Sequence, residues 1–92
     1  MSTEVRIIVG SHAWEYAKID QSRPRLLLPP NASPDAYSWP VGNLECLVVI
    51  AGDISDSTLL QLARILLISG SPVVRILGRE GSLSVFRPGD DQ

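Results

Sequence analysis

The sequence predicts an α/β protein of the α+β kind, a two-layer sandwich in which a mixed sheet of about five strands packs against one principal helix. Three observations carry this. The stretch from Cys46 to Leu77 reads as an apolar run (CLVVIA), a loop of capping residues (GDISDS), a helical pattern (TLLQLARILLIS), a break at GSP and a second apolar run (VVRIL), which together make one strand, helix, strand unit. Three further short runs, EVRIIV, RLLL and LSVFR, are each bordered by Gly or Pro, the punctuation of strands. The chain is 92 residues long, with no internal repeat and no linker, so residues 1–92 form a single domain with a thin core.

The elements follow in order. Glu4 to Val9 ends at Gly10, and its consecutive Ile7, Ile8 and Val9 suit a strand buried on both faces. Trp14 to Ile19 alternates in side-chain size and reads as a second strand, paired in a hairpin with the first; a short helix over Ser11 to Lys18 is the rival. Arg25 to Leu28 lies between Pro24 and Pro29, which places a short strand at a sheet edge. The stretch from Pro29 to Asn43 is dense in proline and turn formers and is the long connection of the domain. Within it Ser33, Pro34 and Asp35 predict about one turn of helix. Cys46 to Ala51, apolar at every position, is expected at the middle of the sheet. The helix, about Asp56 to Ser69, starts at capping residues and stops at Gly70 before Pro72. Val73 to Leu77 then runs parallel to the central strand. Leu83 to Arg87 returns antiparallel after the turn GREGS, and the tail PGDDQ is polar.

Composition narrows the function. Apolar residues make up 45% of the chain and charged residues 20%, which excludes a disordered protein. A net charge of -2 gives no electrostatic reason to expect nucleic acid or an anionic membrane as partner. Arg23 and Arg25 near Trp14, Tyr16 and Tyr37 hold the ingredients for stacking on single strands, but acidic residues are interleaved and no nucleic-acid module is recognisable. Cys46 is the only cysteine, so no internal disulfide forms. The start MSTEVRIIVG has no apolar core of a signal peptide, and no stretch reaches the roughly 20 apolar residues of a membrane span. A cytoplasmic location is the expectation.

Catalytic signatures are lacking. His12, the only histidine, has no Cys, Asp or His at ligand spacing, and the serines form neither G-x-S-x-G nor S-x-x-K. No cofactor and no enzymatic activity are expected. The loop AGDISDS lies between a strand end and a helix start but matches no phosphate-binding fingerprint. Its Asp53 and Asp56, beside Gly52, are the candidates for an alternative small-ligand or metal site, although helix capping explains them more simply. The stretch GDISDSTLLQLARILLISGSPVVRIL resembles the strand, helix, strand unit repeated in Clp-type proteases and crotonases. The likeness covers about a third of the chain, without the serine and histidine motifs of those proteases, and implies no activity here.

One surface feature remains. Projected at roughly 100° per residue, Leu59, Leu60, Leu62, Ala63, Leu66 and Leu67 face the sheet, while Ser57, Gln61, Arg64 and Ile68 point away and Ile65 lies on the flank. Two isoleucines directed away from the core are either covered by the loop carrying Tyr37 and Trp39 or belong to a contact surface. The expected function is therefore a small interaction or regulatory protein, of the kind that phages and mobile elements use as inhibitors. It would bind a protein partner or a second copy as a homodimer through Ile65, Ile68, Arg64, Gln61, Tyr37 and Trp39.

Overall fold

Residues 4–20, 25–29, 33–39, 41–78 and 80–89 are described by a computed structural model. Five strands, β1 (Glu4–Val9), β2 (Arg25–Leu28), β3 (Glu45–Ile50), β4 (Val74–Leu77) and β5 (Leu83–Phe86), form one sheet in the order β2-β1-β3-β4-β5. The first four are parallel and β5 is antiparallel to β4. The mixed five-stranded sheet and the α+β class agree with the sequence, as do the central place of β3 and the edge position of β2.

The pleat divides the side chains between two faces. Val5, Ile7 and Val9 of β1, Cys46 and Val48 of β3, and Val74 and Ile76 of β4 belong to the main core, with Leu28 of β2. The long helix α2 (Asp56–Ile68) closes this face with Leu59, Leu62, Ala63 and Leu66. Its start is set by Ser55, whose hydroxyl accepts from the Thr58 backbone N–H at 3.2 Å. At its end Ser71 N–H donates to Leu66 O at 3.1 Å and Gly70 N–H to Leu67 O at 3.1 Å, which satisfies carbonyls that the helix leaves open. A single 3-10 turn over Pro34–Ala36 packs beside α2, where the sequence places about one turn.

The opposite face is partly covered by a short helix, α1 (Ala13–Ile19), which packs Ala13, Tyr16 and Ala17 against Ile8, Leu27 and Ala51. Here the expected strand over Trp14 to Ile19, and its hairpin with the first strand, is corrected. β1 and β2 are parallel, so the segment joining them must carry the chain back along the sheet, and a hairpin cannot do that. Side-chain alternation misled because Trp14, read as half-buried, is 67% exposed. With α1 in place the layering is less simple than two layers, since each face of the sheet carries a helix.

Polar groups fasten α1 to the second face. The Arg6 guanidinium meets the buried Asp20 carboxylate at 3.2 Å, and Arg25 donates to the carbonyls of Ala17 (2.8 Å) and Asp20, at the carboxyl end of α1. Arg75 on β4 bridges Glu45 at 2.9 Å and Glu4 at 3.3 Å, tying three adjacent strands. These arginines have structural work, and Arg25 is therefore drawn away from the nucleic-acid reading; Arg23 lies outside the described residues.

Candidate functional site

Two places in this fold could hold a partner or a ligand. The first lies at the carboxyl ends of β1 and β3, the switch point where one connection leaves over the α1 face and the other over the α2 face. Open parallel sheets commonly bind ligands in the crevice at such a point. In this chain the two loops fill it themselves. His12 N–H donates to Ala51 O at 2.8 Å, Ser11 N–H to Asp53 O at 3.2 Å, and Asp53 N–H to the Ser11 hydroxyl at 2.9 Å. A methyl group at Gly52 would stand 2.3 Å from Ser11 Oγ, so the loops are in van der Waals contact. Asp53 and Asp56 are both exposed above this seam. Among the described residues no group of three or more His, Cys, Asp or Glu side chains is gathered as a metal site would need. His12 is likewise exposed, 3.9 Å from the Glu15 carboxylate one helical turn on.

Cys46 is no nucleophile in waiting. It is fully buried in the α2-face core, and burial pushes its thiol pKa up. A hydrogen bond with Ser71 offsets part of that, and the Glu4 carboxylate adds to it. A protonated thiol without access to solvent has neither the charge nor the approach that chemistry needs.

The second place is the outer side of α2. Ile68 is 85% exposed, which agrees with its expected outward position. Leu60 is also half exposed, although the sequence placed it against the sheet. It lies about 120° round the helix from Leu66 at ~100° per residue, so the buried arc is narrower than six positions. Between this side of α2 and the end of β5 runs a groove of about 390 Å³, with Leu60, Ala63, Leu67, Ile68, Phe86 and Pro88 as its apolar lining. Among the described residues, Arg64 and Arg87 are the charged ones along it. On the other side of the Leu60–Arg64 ridge, a second depression of about 400 Å³ is bordered by polar Asp35, Ser57 and Gln61 together with Ile65.

The six expected contact residues therefore separate. Arg64, Gln61 and Ile68 are on the outer surface of α2, and Arg64 and Ile68 share the apolar groove. Ile65 is half-buried against the core. Trp39 belongs to that core, its indole N–H donating to Pro34 O at 2.8 Å. Tyr37 is exposed and tilted against Trp39, ring centres 6.0 Å apart. So the connecting loop does cover part of the cluster that Ile65 touches, and it leaves Ile68 uncovered. Phe86, Arg87, Pro88 and Gly89 were not expected at the site, because a strand end and a polar tail give no periodic signal pointing at a helix. The one available hint was Phe86, a large aromatic on the last strand.

Scanned against protein-family models and searched against curated proteins and solved structures, the chain finds no match in any of the three. None of the three supports the resemblance of residues 52–77 to the Clp and crotonase unit. No described helix is long and apolar enough to cross a membrane.

Proposed function

We propose that this protein is a non-catalytic interaction or regulatory domain that binds another protein through the outer side of α2 and the end of β5. The observation that carries the reading is Ile68, 85% exposed at an apolar groove that Leu60, itself 49% exposed, also lines. Large apolar side chains scattered singly over a surface need no explanation, whereas here they line a concave feature, which is how contact sites for other proteins are built. Full burial of one such side chain contributes about 1.5–3 kcal/mol, so a partner that covers both residues gains a useful part of a micromolar affinity.

The alternative, a small-ligand or metal-binding domain using Gly52 and Asp53, draws on the switch-point position of that loop. The closed seam between the two loops weighs against it. Affinity capture from a lysate of the native source separates the two readings. The interaction reading expects a protein retained by the unaltered chain, still retained by Asp53→Ala, and lost with Ile68→Asp. Ile68→Asp changes an exposed position and should leave the melting temperature within a few degrees. A partner indifferent to Ile68→Asp but lost with Asp53→Ala would move the site to the loop. A homodimer held by the same groove would show as a larger species on sedimentation that Ile68→Asp dissociates.

A further inference from the structure

The groove carries information about what occupies it. β4 and β5 are joined by a tight turn and not by a helical crossover, so no helix of the described chain follows to lie over β5 on the α2 side. A helix is about 10 Å across and strands are spaced ~4.8 Å apart, so with α2 packed on β4 a helix laid beside it would cover the edge strand β5 and overhang the sheet edge. From Leu60 to Ile68 the groove runs along eight residue steps of α2, about 12 Å or two turns. A strand added to the free edge of β5 would lie in the plane of the sheet and leave this groove, which stands above that plane, unfilled.

Charge then narrows the partner. The chain as a whole is acidic, with a net charge of -2, yet among the described residues the charged side chains lining the groove are Arg64 and Arg87, both exposed. Arg6 and Arg75 on the sheet are held in ion pairs, while Arg64 and Arg87 make none among the described residues. We infer that the groove takes an acidic amphipathic helix of a partner protein. Apolar side chains of that helix at i, i+3 or i+4 and i+7 fill the groove, and its Glu or Asp residues pair with Arg64 and Arg87. This rests on the reading of the groove as a docking surface. A second copy of the chain is less suited to the site, because a two-fold contact through the same groove brings Arg64 and Arg87 close to their own counterparts.

Two synthetic helical peptides of about 15 residues test it, sharing one leucine stripe at i, i+3, i+4 and i+7 and flanked by Glu in one and by Lys in the other. Fluorescence anisotropy at low salt should show the Glu peptide binding at least about tenfold more tightly than the Lys peptide. Added salt should weaken the Glu peptide, and the double variant Arg64→Glu, Arg87→Glu should reverse the order of the two. Equal binding of both peptides, lost with Ile68→Asp, would overturn the acidic partner while leaving the docking groove in place. Binding of neither peptide, or binding unmoved by Ile68→Asp, would remove the groove as a docking site and the inference with it. A chain that sediments as a dimer, dissociated by Ile68→Asp, would assign the groove to a second copy and overturn the acidic helix.

Discussion

Gly10→Ala is expected to abolish the stable fold or to lower the melting temperature by about 15 °C or more. Gly10 ends β1 with φ at +115°, a backbone region closed to side chains, and a methyl group there would stand 2.4 Å from the Ala51 carbonyl oxygen. Two costs add. Holding alanine in that conformation takes about 1–3 kcal/mol. Relieving the contact moves the end of β3 away and disrupts the 2.8 Å bonds from His12 N–H to Ala51 O and from Ala51 N–H to Val9 O. A domain of this length has about 5–14 kcal/mol of stability in all, so the combined loss is a large share of it. Gly42→Ala is the control. Its φ is +55°, and an added methyl would meet nothing within 4 Å, so it isolates backbone strain from collision and should cost about 1 kcal/mol. Thermal melts of the two variants that coincide would mean that β1 and β3 do not close at this seam.

Leu66→Ala is the second large effect, with an expected loss of about 2–5 kcal/mol. Leu66 is fully buried and faces the sheet from the centre of the inner side of α2. Truncation removes its transfer energy and leaves a cavity that the rigid sheet beneath it fills only in part. Leu60→Ala removes the same atoms from a side chain that is 49% exposed and should cost less than about 1 kcal/mol. Urea unfolding of both variants reads the orientation of the helix directly. Equal losses would mean that Leu60 is an inner residue, as the helical projection first suggested, and would close the groove beside it.

That pair of leucines also shows where sequence reading succeeds and where it stops. Strong periodic or continuous apolar patterns, with caps at both ends, made β3, α2 and β4 legible, and the punctuation by Gly and Pro made β1, β2 and β5 legible. Trp14 to Ile19 was not, because a short segment of mixed aromatic and charged residues satisfies a period of two and a period of 3.6 about equally well. What decided it was the parallel pairing of β1 with β2, a relation between distant segments that no local pattern contains. At the candidate site Ile68 and Arg64 were visible from the helical projection. Phe86 and Arg87 were not, since their neighbourhood with α2 is set by the hairpin that folds β5 back beside β4. Asp53 and Asp56 drew notice through their position alone. Only the hydrogen bonds between the two loops reveal how little room their seam leaves.

The most direct test of the α2 and β5 groove as the binding surface is backbone amide chemical-shift mapping of the isotope-labelled protein, titrated with the Glu-flanked helical peptide. The shifts should concentrate at Leu60, Arg64, Ile68 and the Phe86 to Gly89 segment, leaving the loops at Ser11 and Asp53 unmoved. Shifts centred on Ser11, His12, Gly52 and Asp53, with α2 and β5 silent, would contradict the account.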